Sequence, residues 1–403
     1  MNDQANTNRG QADINYDFVA PGRIIFGWGR RAEVGVLAAG LGHRVFLAHG
    51  LPAATADPVL AEIQRSLDAA EVSLEVVQSI DHEPEVADVD RFVDRLRQET
   101  AGPGDVLLAI GGGAAIDLAK AAAALVINDD GESVCDYLEG VGRGLKLTEQ
   151  PLPLLAMPTT AGTGAEATHN AVISSYDPAF KKSLRDPRMV PDVALIDPEL
   201  TVSVPPEVTA ASGMDAITQL IESYVSPLSR PIPRALCLQG LRLAVPALPV
   251  AVEQPDDRSA REAMSHAALL SGLALANAKL GMAHGVAPAL GTHARVPHGL
   301  ACALMLPTAL KVNREESEAE LARLAHVIYG ESARQSPGES VDRLISEIEA
   351  LRDRIGLPSR LSEVGVTREQ LPAIVRDSFG SSMRGNPVQL DEARLQSLLE
   401  ELL

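Results

Sequence analysis

The chain changes grammar near its midpoint, and no other feature restricts its fold so strongly. Up to residue 197, short β-branched runs alternate with helical patterns. Arg44–Ala48 reads as a strand, and Asp57–Ala69 as an amphipathic helix opened by an Asp cap. Val72–Val77 and Ala87–Gln98 repeat the pair. Asp105–Ile110 reads as a buried strand that runs through three glycines into an Ala-rich helix, and Leu152–Met157 as another buried strand. Such alternation implies a parallel sheet with helices on both faces. After Pro198 strand signals nearly vanish, and long helical patterns such as Glu207–Val225, Ile232–Gln254 and Arg258–Leu290 take over. The expected architecture is a Rossmann-like α/β nucleotide-binding domain over 15–197, then an all-α domain over 198–403. A polar, disordered arm is expected over 1–14. The cleft between the halves, beyond the carboxyl ends of the strands, is the expected site.

Composition narrows the partners. Lys+Arg 35 against Asp+Glu 54 gives a net charge of −19, which repels a phosphate backbone or an anionic membrane surface. Nucleic acid and membrane are therefore not expected partners. The three cysteines, Cys135, Cys237 and Cys302, form no CxxC pair, which points to a reducing cytoplasm. The apolar stretch Ala267–Leu290 carries Lys279 and His284. A charge near the middle of a membrane span costs about 2.5–3.5 kcal/mol, so a buried core helix is expected there instead.

Two loops at strand ends point to a dinucleotide. Gly111, Gly112 and Gly113 follow a buried strand and open a helix, so the backbone can approach a pyrophosphate whose charge the helix N-terminus favours. The run is not GxGxxG, and alone it could be a tight packing turn. A second loop, PTTAGTGAEAT at 158–168, also follows a buried strand and sets Thr159, Thr160, Thr163 and Thr168 around two glycines. Together the loops suggest phosphate and ribose contacts. Gly50 ends the strand Arg44–Ala48 without a carboxylate that would accept from a ribose 2′-OH and repel a 2′-phosphate, which leans towards NADP or dual use. An ordinary glycine turn is the plain alternative.

In the helical half, Asp215 and Gln219 stand one turn apart on one helix face. His284 lies in an otherwise apolar helix, and His298 follows Pro297. A carboxylate, an amide oxygen and two imidazoles could hold a divalent first-row ion with a position open for a substrate oxygen. On spacing alone, Asp215 could equally bond nearby backbone and His284 be a satisfied core residue.

These motifs occur in order along the chain, and the chain resembles the iron-containing (group III) alcohol dehydrogenase family, related in fold to dehydroquinate synthase and glycerol dehydrogenase. The blocks that carry the likeness are GGGAAIDLAK at 111–120, PTTAGTGAEAT at 158–168, SGMDAITQLIESYVS at 212–226, and AHGVAPALG with PHGLACALMLP within 283–307. The resemblance implies that Gly111, Gly112, Gly113 and Asp117 bind the cofactor pyrophosphate, and that Thr159, Thr160, Thr163 and Thr168 bind its ribose and nicotinamide side. It implies that Lys181 sits beside the cofactor, where it is also the candidate catalytic group. It makes Asp215, His284 and His298 three of four ligands to Fe(2+) or Zn(2+), and it implies a homodimer or larger assembly.

Two departures bear on chemistry. Gln219 stands where most members carry a ligand histidine, and Pro288 where many carry a histidine suspected of proton relay. Gln binds metal only through a neutral carbonyl oxygen, so a weakened variant site is expected, with Gln219 completing or loosely capping it. His293, near a helix end, is expected at the surface. The expected activity is NAD(P)-dependent alcohol dehydrogenation or aldehyde reduction. A metal-free reductase resembling maleylacetate reductase, a dehydroquinate-synthase-like lyase and a non-catalytic nucleotide-binding protein are its rivals.

Overall fold

The computed structural model describes residues 15–330 and 335–403; the arm expected over 1–14 lies outside them. The first half runs β1 (Arg23–Phe26), α1 (Val34–Ala39), β2 (Arg44–His49), α2 (Ala53–Ala69), β3 (Ser73–Ser79), α3 (Val86–Gln98), β4 (Asp105–Gly111), α4 (Gly113–Leu125), β5 (Leu154–Pro158), β6 (Asn170–Tyr176), β7 (Ala179–Arg185) and β8 (Val193–Ile196). Six of these strands form one parallel sheet in the order β1-β8-β5-β4-β2-β3. Alternate residues of its central strands supply two cores. Phe46, Ala48, Leu107, Ala109, Leu154 and Ala156 face α3 and α4. Val45, Leu47, Val106, Leu108, Leu155 and Met157 face α1 and α2. Burial on both faces explains why these strands read as continuous apolar runs.

Strand order reverses between β2 and β4, so a crevice opens at their carboxyl ends. Gly50 follows β2 there, and its amide donates to Ile110 O at 2.8 Å. A Cβ on Gly111 would meet Ala115 Cβ at 2.7 Å and Gly50 N at 2.8 Å, so the turn into α4 closes only with glycine at that position. The helix expected from an Asp57 cap begins earlier, at Ala53 after Pro52, and Asp57 lies inside its first turns. β6 and β7 pair as an antiparallel hairpin outside the main sheet, and β7 packs on α8 of the helical half.

The helical half comprises α5 (Pro206–Val225), α6 (Pro231–Glu253), α7 (Arg258–Asn277), α8 (Met282–Ala294), α9 (His298–Asn313), α10 (Glu318–Tyr329), α11 (Pro337–Arg354), α12 (Leu371–Asp377) and α13 (Glu392–Glu401). One core gathers α5, α6, α7, α10 and α11, and a second gathers α8, α9, α12 and α13. The single helix expected over Arg258–Leu290 is two helices. The chain leaves helical geometry between Asn277 and Met282, so the first amides of α8 point out of the helix and find carboxylate and amide oxygens elsewhere. The two halves meet closely. Gly164, with φ 61, touches the backbone of Gly272 in α7, where a Cβ on Gly272 would fall 2.2 Å from Gly164 O.

Candidate active site

A cavity of about 460 Å³ lies between the halves. Gly113, Asp117, Thr163, Thr168 and Lys181 line it from the α/β side, and Gln219, His284, Pro288 and His298 from the helical side. Gly50, Gly111, Gly112, Thr159 and Thr160 stand at the strand ends but do not line this cavity. A Cβ on Gly112 would lie 3.2 Å from Thr160 Oγ1, and one on Gly113 2.9 Å from Thr163 Oγ1, so the two loops interlock through absent side chains.

Several polar groups expected at a cofactor are also committed to protein partners. Lys120 is buried in α4 and donates to Thr168 Oγ1 at 2.7 Å and to Asn170 O at 3.0 Å. Asp117 accepts from Val172 N at 2.9 Å and stands 3.4 Å from the Lys120 ammonium. Burial raises the Asp117 carboxyl and lowers the Lys120 ammonium, each opposed by the other's charge. The network ties α4 to the hairpin. Lys181, on β7, donates to Glu83 Oε2 at 2.7 Å. Against its burial, the Glu83 carboxyl is held below its ordinary range by Lys181. His169 is driven down to about 4, chiefly by burial, and its Nδ1 has no partner.

At the helical end, α5 presents a polar stripe through an otherwise apolar helix: Asp215, Gln219 and Glu222, at i, i+4 and i+7, all buried. His284 is clamped between the two acids. Its Nε2 lies 3.0 Å from Asp215 Oδ1 and its Nδ1 2.8 Å from Glu222 Oε2. Glu222 also takes the first amides of α8, with Gly281 N at 3.0 Å, Ala283 N at 2.6 Å and His284 N at 3.3 Å. An anion at a helix N-terminus both satisfies and charge-matches those donors. The helix break at Lys279–Gly281 thus delivers His284, already oriented, to Asp215.

His298 opens α9, with Nε2 3.8 Å from Asp215 Oδ1 and its ring edge-on to His284 at 5.5 Å. One turn on, Cys302 Sγ lies 3.8 Å from His298 Nε2. Donor atoms of Asp215, His284, His298 and Cys302 all fall within 4.8 Å of one another. Burial would lower His284, but Cys302, Asp215 and Glu222 raise it well above its ordinary value. His298 goes the other way. Burial lowers it to about 4 despite Asp215, with Lys181 and His284 lowering it further. Against burial, the two imidazoles hold Asp215 below the usual carboxylate range. A buried anion flanked by two imidazoles, each with its Nε2 within 4 Å of Asp215 Oδ1, is a donor set that fits a divalent first-row ion.

Gln219 lines the cavity but turns its amide elsewhere: Nε2 donates to Thr163 O at 3.2 Å and Oε1 accepts from Ser271 Oγ at 2.9 Å. The Thr163 carbonyl can only accept, which fixes the amide's orientation. His293 meets Asp377 at 2.6 Å, away from the cluster. Glu222 and Cys302 were missed from sequence. Both were findable by extending the helical spacing already applied to Asp215 and Gln219: i+7 from Asp215, and i+4 from His298.

Comparison with known proteins now fits this geometry. Residues 21–198 match the family model described as iron-containing alcohol dehydrogenase, and residues 209–403 its Fe-containing C-terminal domain. Long-chain-alcohol dehydrogenase 1 of Geobacillus thermodenitrificans is 31% identical over 386 residues, covering 94% of this chain and 96% of its own. The sulfoacetaldehyde reductase of Bifidobacterium kashiwanohense, solved with NAD+, is 31% identical with a TM-score of 0.84, over 96% of this chain and 98% of its own. A crystal structure of a 1,3-propanediol oxidoreductase is 26% identical with a TM-score of 0.89, over 96% of this chain and 100% of its own. A parallel-sheet domain and a helical domain meeting at a glycine- and threonine-lined cavity with a buried Asp/His/His cluster are thus those of a known group: the chain belongs to the iron-containing alcohol dehydrogenase family, and its activity is NAD(P)-dependent alcohol and aldehyde oxidoreduction.

Proposed function

We propose that this chain is a metal-dependent alcohol dehydrogenase or aldehyde reductase in which Asp215, His284 and His298 hold Fe(2+) or Zn(2+). The observation that carries this is the single cavity lined by Gly113 and Thr163 at one end and by His284 and His298 at the other. When bound, the ion supplies Lewis-acid polarisation of a carbonyl or alcohol oxygen, and the nicotinamide supplies or accepts the hydride. The chain's own residues do the positioning. Gly111, Gly112, Gly113 and the amides opening α4 receive the pyrophosphate, with Asp117 fixing that turn to the hairpin. Thr159, Thr160, Thr163 and Thr168 face the ribose and nicotinamide side. Lys181, held by Glu83, orients the ribose hydroxyls. Pro288 can neither give nor take a proton, so the proton travels through water and those hydroxyls.

The coenzyme leans to NADP or dual use, because β2 ends in His49 and Gly50 without a carboxylate. His49 is buried, and that burial lowers its imidazole, leaving it neutral at neutral pH. The domains divide near residue 197. The working form is a homodimer or larger homo-oligomer in the cytoplasm, where Cys135, Cys237 and Cys302 form no disulfide.

The test is metal content per chain after purification without oxygen, with Asp215→Ala alongside, followed by an aldehyde panel with NADPH and NADH. Near-stoichiometric iron or zinc that the variant loses, together with aldehyde turnover, supports the proposal. Full activity in metal-free, chelator-treated protein overturns it in favour of a metal-free reductase similar to maleylacetate reductase.

A further inference from the structure

We infer that Cys302 is the fourth donor of the metal centre, so that this chain replaces the lost imidazole at position 219 with sulfur rather than with the Gln219 amide. The inference rests on the proposal that Asp215, His284 and His298 hold a metal. It goes beyond it in naming the donor that completes the set.

Three observations carry it. The first is placement. Cys302 lies one helical turn after His298 on the same face of α9, fully buried, and its Sγ belongs to the same four-atom cluster as Asp215, His284 and His298. The second is spacing. Metal–nitrogen bonds of about 2.0–2.1 Å and metal–sulfur bonds of about 2.3 Å put tetrahedral donors roughly 3.3–3.8 Å apart. Three of the six separations are 3.0 Å between His284 and Asp215, 3.8 Å between His298 and Asp215, and 3.8 Å between Cys302 and His298, and all six lie within 4.8 Å. Small side-chain adjustments around an ion would equalise them. The third is the state of Gln219. Its oxygen accepts from Ser271 and its nitrogen donates to Thr163, so the amide is held by protein partners, and turning that oxygen to an ion would disturb them.

The other cysteines show that this placement is particular. Cys237 is buried in the apolar core of the helical half, and Cys135 lies half-buried in a 3-10 turn, Val134–Tyr137, of the α/β half. Neither belongs to a group of metal-ligating side chains among the described residues. Ligation at Cys302 breaks the S–H bond, the proton leaves to solvent, and a sulfur electron pair forms the bond to the ion. A soft thiolate in the set favours zinc, or iron in its ferrous state, over magnesium, calcium or manganese.

The decisive measurement is X-ray absorption at the metal edge on the full-length protein loaded with one Zn(II) per chain. We expect one sulfur at about 2.3 Å beside a nitrogen/oxygen shell at about 2.0–2.1 Å. The Co(II)-loaded protein should show a near-ultraviolet sulfur-to-metal charge-transfer band. Both signals should vanish in Cys302→Ser and persist in Cys237→Ser. Cys302→Ser should also lose Zn(II) affinity, in chelator competition, by more than the roughly 10–100-fold that losing an outer-shell partner costs. Gln219→Leu should retain the sulfur signal.

Stoichiometric zinc in the native protein with only nitrogen and oxygen neighbours overturns the Cys302 assignment while leaving the metal proposal standing. A sulfur shell that survives in Cys302→Ser also overturns it. A native protein that takes up no zinc, iron or cobalt overturns the metal proposal and this inference with it. The native protein's spectrum decides the matter even if Cys302→Ser fails to fold.

Discussion

Replacing Glu222 with Gln changes one carboxylate oxygen into an NH2 group and leaves shape almost untouched, yet it strikes the point where the fold and the site are joined. Glu222 Oε2 takes His284 Nδ1 at 2.8 Å and Gly281 N at 3.0 Å, and Oε1 takes Ala283 N at 2.6 Å. A glutamine can accept through one of these positions only. With its oxygen kept on His284 and Gly281, its NH2 group faces the Ala283 N–H, and that buried donor loses its partner at about 1–3 kcal/mol. The two short retained bonds lose charge assistance, about 1 kcal/mol each, and the longer one from His284 N at 3.3 Å loses less. A neutral amide costs less to bury than a carboxylate, which returns part of the loss. The net destabilisation is about 2–4 kcal/mol.

The effect on metal should be separable from the effect on the fold. Outer-shell partners that fix a ligand imidazole are worth roughly 10–100-fold in metal affinity. Glu222→Gln should therefore lower the melting temperature of the metal-free protein, and the extra stabilisation from added Zn(II) should shrink as well. Thermal melts with and without chelator read the first, and chelator competition reads the second. A variant whose zinc affinity stays within about twofold of native, while Asp215→Ala abolishes binding, would refute the claim that Glu222 sets the His284 ring for metal.

The crevice and the sheet edge each supply a further test. Gly50 has no left-handed backbone, and a Cβ there meets nothing closer than Ile80 O at 3.4 Å, so Gly50→Asp fits. Set against a 2′-phosphate, its charge should weaken NADPH on the order of 100-fold and NADH little. Equal weakening of both in fluorescence titrations means the 2′ position lies elsewhere. Asp105 is buried, and against that burial Arg44 at 2.9 and 2.7 Å and the Gly102 amide at 2.8 Å hold its carboxyl below 3.8. Its contribution to stability is therefore whole above pH 3.8 and drains as pH falls through the folded value. Asp105→Asn should cost about 1–2 kcal/mol at pH 7, and the gap to native should close below pH 4. A gap that stays constant on acidification counts against the pairing.

The α/β half was largely legible because its strands are buried on both faces. Val45 to Ala48, Val106 to Ile110 and Leu155 to Met157 are apolar without interruption, and a run of three to five such residues between helical patterns has few other uses. The β6–β7 hairpin was not legible. Its residues are mostly polar or half-buried, and Asp177 and Pro178 join its strands where a glycine turn would have announced them. The break between α7 and α8 was also hidden. Apolar character continues across it, since Leu280, Met282 and Ala283 are as buried as the helices on either side. What ends the helix is a carboxylate from α5, distant in the chain, that accepts the amides a continuous helix would have used.

The same distinction separates what was read in the site from what was missed. Asp215, His284 and His298 stand out because each is a ligand-type residue in an apolar neighbourhood. Glu222 and Cys302 do not, since an acid late in α5 and a cysteine in an Ala- and Leu-rich helix each have an ordinary explanation. Their meaning comes from pairing across helices, Glu222 with α8 and Cys302 with Asp215 and His298. Taken position by position, Gln219 looks like a loss of ligand strength. Taken as a cluster under the proposed assignment, the thiol at 302 supplies the donor that the Gln219 amide does not, while Asp215 stays between the two imidazoles. Metal selectivity follows from the whole donor set and not from any single member. On that assignment the helical domain completes its donor set with a soft, oxidisable sulfur from α9 and leaves the Gln219 amide to its protein partners.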